Sequence, residues 1–143
     1  MKVLLGKKNI LITQNLSYSL DLQAIINYSM STVAILDLGI GNIKSVYNAI
    51  KVFNKDVVIV EDAKKLCDIN PNKIILPGVG AVGEAIYELR KRNLEDCLNK
   101  MVLNKNVYFL GICLGMQILA EECNEFGKFR GLGWIKGKVN ILK

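Results

Sequence analysis

The sequence predicts an α/β protein: a doubly wound, mostly parallel sheet with helices on both faces. Three observations predict it. Short, uniformly apolar runs recur along the chain, stretches with helical spacing of apolar residues separate them, and glycine turns follow several of the runs. Of 143 residues, 51% are hydrophobic and 22% charged, which supplies one compact core and excludes a disordered chain.

Residues 1–31 read as an N-terminal extension of unclear role. Asn9-Ile-Leu-Ile-Thr13 has strand character, but Gln14-Asn-Leu-Ser-Tyr-Ser19 after it lacks the glycine-rich loop of a dinucleotide fold. Polar residues interrupt the segment too often for a secretory signal, and a second methionine, Met30, stands just before a cleaner pattern. Val33-Ala-Ile-Leu-Asp-Leu38 is then expected as a buried strand and Gly39-Ile-Gly-Asn42 as a turn. Ile43, Val46, Tyr47, Ile50 and Phe53 lie on one helical face. Val57-Val-Ile-Val60, Lys73-Ile-Ile-Leu76 and Val107-Tyr-Phe-Leu110 are too short and apolar for surface helices and match buried parallel strands. Between the last two, Ala85, Ile86 and Leu89, followed by Leu94, Cys97, Leu98 and Met101, give helical crossovers. The segment from Gly131 to Leu142 reads as short extended pieces joined by glycine turns.

Charge and cysteine usage narrow the function classes. The formal charge is +6, but the lysines are scattered, and the densest cluster, Arg90-Lys91-Arg92, reads as one turn of a solvated helix face. A nucleic-acid binder needs a basic stripe, with aromatics where the target is single-stranded, so none is expected here. No apolar run reaches the roughly 18 residues of a membrane span. Four cysteines without a Cys-x-x-Cys pair, and no histidine, suggest neither a zinc site nor a disulfide framework. Reduced thiols in a cytoplasmic setting fit best, with no metal or cofactor implied.

The chemistry concentrates in Gly111-Ile-Cys113-Leu-Gly115, placed between the strand expected to end at Leu110 and a helical pattern through Leu114, Ile118, Leu119 and Glu122. This is the cysteine version of the Gly-x-Ser-x-Gly elbow, in which a sharp strand-to-helix turn holds the nucleophile exposed. A thiol at a helix N-terminus gains thiolate character, and the N–H of Leu114 can face a developing oxyanion. A small core cysteine beside a tight turn is the plainer alternative. A second turn, Leu76-Pro77-Gly78-Val79-Gly80, is expected on the same carboxyl-end side of the sheet, where ligands collect.

With both turns present, the sequence resembles the class I, triad-type glutamine amidotransferases. Within that family it is most similar to the glutaminase subunits that feed ammonia to a separate cyclase barrel in imidazole glycerol phosphate synthesis. The matching pieces are Asp37-Leu-Gly-Ile-Gly-Asn-Ile-Lys-Ser45, Pro77-Gly-Val-Gly80, Gly111-Ile-Cys-Leu-Gly-Met-Gln117 and Gly131-Leu-Gly-Trp-Ile-Lys-Gly-Lys-Val139, so the likeness spans residues 32–143. The resemblance implies Cys113 as the nucleophile that takes the glutamine acyl group. It implies Gly80 and Leu114 as oxyanion donors, and Gln117 and Glu125 as holders of the polar ends of glutamine. Gln117 also reads as an ordinary polar helix position, and Glu125 as one member of a solvated acidic run. Gly39, Gly41, Asn42 and Ser45 match a turn that faces the cyclase partner in the two-subunit enzyme; a glycine turn with Asn42 as helix N-cap accounts for the same residues. Cys67, Cys97 and Cys123 read as structural, and Trp134 as a packing residue.

One departure stands out. The family completes its site with a histidine and a glutamate near the end of the domain, and this sequence holds no histidine. It therefore reads as the N-terminal portion of such a domain, with the C-terminal part missing and little turnover expected alone. Two other readings remain: an amidotransferase subunit for surface-sugar amidation, and a catalytically dead interaction module.

Overall fold

The computed structural model describes residues 3–4, 10–13 and 31–141. Its main sheet has six strands: β1 (Val3–Leu4), β2 (Ile10–Thr13), β3 (Val33–Leu36), β4 (Val57–Val60), β5 (Lys73–Gly78) and β6 (Tyr108–Cys113), in the order β1-β2-β6-β5-β3-β4. Every pairing is parallel except β1 with β2. The strand expected there is realised over Ile10–Thr13, which lies alongside β6 with Thr13 opposite Ile112, while Asn9 lies outside the described residues.

The crossovers are helical, as the change of period requires: α1 (Ile43–Lys51), α2 (Ala63–Ile69), α3 (Val82–Lys91) and α4 (Leu94–Leu98), the last continued by a π-helical turn at Asn99–Asn104. Strand alternation divides the core between the two faces. Val33 and Ile35 of β3 join Leu110 and Ile112 of β6 under Ile43, Val46 and Ile50 of α1. Ala34 and Leu36 point the other way, into the larger core with Leu66, Leu89, Leu98 and Phe109. A buried strand needs both faces covered, and the helices on opposite sides provide this. Trp134 packs edge-on against Phe109 with ring centroids 4.9 Å apart, and its indole N–H donates to Asn99 Oδ1 at 2.7 Å. Its packing role is confirmed.

The chain then departs from the expected pattern. After α5 (Leu114–Gln117) it forms β7 (Ala120–Asn124), β8 (Phe129–Arg130) and β9 (Ile135–Asn140), a separate three-stranded sheet in the order β8-β7-β9. The helical pattern reaching Glu122 is therefore corrected: the helix stops at Gln117. Ile118 and Leu119 are fully buried because the C-terminal sheet closes on them, with Leu132 N–H donating to Ile118 O at 2.7 Å and Ile135 N–H to Leu119 O at 3.0 Å. Tertiary closure, and not a helix face, explains their apolarity. Among the described residues, no helix is long and apolar enough to cross a membrane.

Glu122 pins this small sheet. Its carboxylate meets Lys128 Nζ at 2.8 Å and Lys138 Nζ at 2.9 Å, and Asn124 Nδ2 donates to it at 3.2 Å. The hydrogen bonds from Lys128, then Lys138, hold its pKa at about 2, below the ordinary 4.5. A depressed folded-state value contributes stability above about pH 4.5 that is lost as pH falls toward 2. Glu122→Gln is expected to flatten the acid limb of the stability profile in that window, read as thermal midpoint against pH. An unchanged acid limb would show that the pairs contribute nothing there.

Candidate active site

The turn that aims Cys113 is made at Cys113 itself. Its φ is 53° and its ψ −111°, a conformation that side chains rarely adopt and that costs about 1–3 kcal/mol. The strand was expected to end at Leu110; it continues through Gly111 and Ile112, which pair with Leu76 and Pro77, and places Cys113 opposite Gly78. The same ladder carries β5 two residues past Leu76, so its turn begins at Val79.

The flanking glycines act through close approach. A Cβ on Gly111 would lie 2.6 Å from the Gly115 carbonyl oxygen, and a Cβ on Gly115 would lie 1.8 Å from the Leu76 carbonyl oxygen. Both distances are impossible for real atoms, so only glycine lets α5 fold back against the ends of β5 and β6. Leu114 is buried against Gly78, whereas Cys113 is exposed. Because α5 has only four residues, its first turn offers free N–H groups without the macrodipole of a long helix.

Two further turns meet this one. Gly80 has φ 97°, is exposed, and has no atom within 4 Å of the place where a Cβ would stand. Gly41 approaches Gly78 so closely that a Cβ on it would lie 3.6 Å from Gly78 Cα. The loop is held by Asp37 Oδ1, which accepts from Gly39 N–H at 2.8 Å, and by Asn42 Oδ1, which caps α1 by accepting from Ser45 N–H at 3.1 Å. Gly41, Asn42 and Ser45 are all exposed. The structure thus brings Gly41, Gly78 and Cys113 to the carboxyl end of the sheet.

Gln117 ends α5 half-buried, and its carbonyl accepts from Cys123 Sγ at 3.3 Å. Glu125 follows β7, and its charge, after burial, pushes the Cys123 thiol up, so both residues surround Cys123. Glu125 Oε2 is buried with no hydrogen-bond partner. A buried acceptor is costly to leave unpaired, and its burial sets Glu125 apart from a solvated acidic run.

Arg92 is a residue the sequence reading misassigned. It caps the end of α3 and is partly buried, not solvated: its guanidinium donates to Asp37 O at 2.8 Å and Leu38 O at 3.1 Å, and pairs with Glu88 at 2.8 Å. Arg92, then Lys91, lowers the Glu88 pKa. Arg90 likewise joins Glu95 at 2.6 Å and the Arg130 carbonyl at 2.8 Å. The basic cluster therefore ties the first loop and β8 to the helices; nothing in its spacing distinguishes such brackets from a surface turn. Cys67 is a second correction, being exposed where a structural thiol was expected.

A cavity of about 470 Å³ lies at the amino ends of β5 and β6, lined by Asn70, Lys73, Lys105 and Tyr108 among others, away from Cys113. It faces the wrong end of the sheet for the elbow.

The exposed Cys113 thus stands on a strand-to-helix turn at the carboxyl end of a parallel sheet, beside two glycine turns. The chain belongs to the class-I glutamine amidotransferase family, whose model matches residues 34–139. Among curated proteins it is similar to the imidazole glycerol phosphate synthase subunit HisH of Zymomonas mobilis subsp. mobilis, 40% identical over 121 residues, covering 82% of this chain and 56% of that protein. HisH of Sulfurimonas denitrificans is 45% identical over 107 residues, 75% of this chain and 50% of that protein. The chain thus spans about half the length of the curated relatives it matches. A solved structure named for peptidase E, from Listeria monocytogenes EGD-e, shares the fold with a TM-score of 0.64 at 12% identity, covering 80% of this chain and 63% of that one.

Proposed function

We propose that residues 32–143 are the N-terminal portion of a glutaminase domain that hydrolyses glutamine to glutamate and ammonia and passes the ammonia to a cyclase subunit; the amidotransferase family match and the relatives named as imidazole glycerol phosphate synthase subunits support this reading. The observation that carries this reading is the exposed Cys113 at φ 53° on the turn between β6 and α5. In the proposed reaction, Cys113 Sγ attacks the γ-carbonyl carbon of glutamine, and the resulting oxyanion is met by the N–H groups of Gly80 and Leu114. Collapse breaks the C–N bond, the amide nitrogen takes up the proton given up by the Cys113 thiol and leaves as ammonia, and water then cleaves the thioester to glutamate and the free thiol. Glu125 accepts from the substrate ammonium, and Gln117 orients its other polar end. The exposed loop through Gly41, Asn42 and Ser45 is the side offered to the synthase partner. The setting is cytoplasmic, with thiols reduced.

The 143 residues contain no histidine, so they lack the usual group that protonates departing ammonia and activates water. These residues alone are accordingly expected to release ammonia near background, with or without a cyclase. Binding tests the substrate assignment separately from turnover. By equilibrium dialysis, Glu125→Gln is expected to weaken glutamine binding about tenfold, or about 1.4 kcal/mol. Equal binding by the variant, or no preference for glutamine over asparagine, would remove glutamine from the account.

A further inference from the structure

We propose that Cys67 and Cys97 form a redox-active dithiol that a hydroperoxide converts to an intramolecular disulfide, clamping α2 to α4. The two sulfurs stand 2.7 Å apart across these packed helices, against about 2.05 Å for an S–S bond, so closure needs only a small approach. They are 30 residues apart in sequence, and neither belongs to the elbow. The two differ in access. Cys67 is exposed, whereas Cys97 is buried and also directs its thiol toward the Ala63 carbonyl at 3.8 Å.

That difference orders the chemistry. Cys67 meets the oxidant first: its sulfur takes one oxygen from the hydroperoxide, giving the sulfenic acid and, from hydrogen peroxide, one water. Cys97 Sγ then attacks Cys67 Sγ, the S–O bond breaks, and the expelled hydroxide leaves as water with the Cys97 proton. The pair loses two electrons and two protons in all, and the peroxide is reduced. Burial, followed by the hydrogen bond with Cys67, pushes the Cys97 thiol up to about 12, so Cys97 is a poor target for the oxidant, and its later attack on the oxidised neighbour rests on the 2.7 Å contact. Contact compensates for the scarcity of its thiolate.

The clamp has a structural consequence near the candidate site. Ala63, the first residue of α2, donates its N–H to the Arg92 carbonyl at 3.3 Å, and Arg92 in turn holds the carbonyls of Asp37 and Leu38. Joining α2 to α4 therefore stiffens the scaffold behind the first loop.

The test uses the full chain carrying Cys113→Ser, so that the elbow thiol takes no part. After brief hydrogen peroxide treatment, intact mass should fall by about 2 Da and non-reducing peptide mapping should recover a Cys67–Cys97 linked peptide. The thermal midpoint should rise by on the order of 10 °C and return with a reductant. Adding Cys67→Ser, a surface change that leaves the core intact, should abolish both effects. Stepwise addition of two or three oxygens to Cys67 without a linked peptide, a bridge to Cys123 instead, or a linked peptide with no change in midpoint would each overturn the proposal.

Discussion

Gly115→Ala is expected to destabilise the protein by about 3 kcal/mol or more, enough to leave much of a marginally stable domain unfolded. The added methyl carbon would sit 1.8 Å from the Leu76 carbonyl oxygen, and that oxygen belongs to a central strand that cannot move alone. Leu76 is fully buried between β6 and β3, so accommodation requires shifting α5 off the sheet and with it Cys113. A comparison separates this steric cost from backbone strain. Gly133 has φ 67° but no atom within 4 Å of a new Cβ, so Gly133→Ala should cost only about 1 kcal/mol. Chemical denaturation of the two variants reads the contrast directly. Equal, small losses would mean that α5 is not seated as described.

Changes at Cys113 should separate function from stability. Cys113→Ala and Cys113→Gly are both expected to reduce covalent labelling by a glutamine-like electrophile by on the order of 100-fold or more, to background, because the attacking sulfur is gone. Their stabilities should differ. Alanine keeps a Cβ at φ 53° and the strain with it, whereas glycine adopts that conformation freely and should gain about 1 kcal/mol over alanine. The exposed thiol loses little packing in either case. A glycine variant that is less stable than the alanine variant would show that the elbow is not strained, and would weaken the reason for regarding Cys113 as special.

Much of this arrangement was legible in the sequence because local and global signals agree there. The run over residues 33–38 gives a strand over Val33–Leu36, the run over residues 73–76 is buried on both faces, and Val57–Val60 is a half-buried edge strand; Ile43, Val46, Tyr47 and Ile50 share the helix their spacing predicts, whereas Phe53 lies past its end and is exposed. Asn42 caps that helix as its side-chain chemistry predicts. Illegibility began where contacts distant in sequence decide the outcome. Gly111 reads as a turn residue, yet it is a strand residue kept small by the helix returning over it. Leu114, Ile118 and Leu119 have helical spacing, but the last two are covered by β9 and the segment before it, which cannot be read from their own neighbourhood. Arg92 and Cys67 show the same limit: a carbonyl bracket and a thiol pair depend on partners 30 or more residues away. The elbow was readable as a motif, but its strain and the orphaned oxygen of Glu125 are properties of the fold alone.

The most direct test of the central claim is the site and glutamine sensitivity of covalent labelling in the full chain. A glutamine analogue with an electrophilic γ-carbon, followed by peptide mass mapping, reports which thiol lies where the amide carbon of the substrate would be. The account predicts slow, one-to-one modification of Cys113, slowed further by added glutamine and absent from Cys113→Ala, with Cys67 left unmodified although it too is exposed. Modification of Cys67 in preference to Cys113, or labelling of Cys113 at the same rate with and without glutamine, would contradict it.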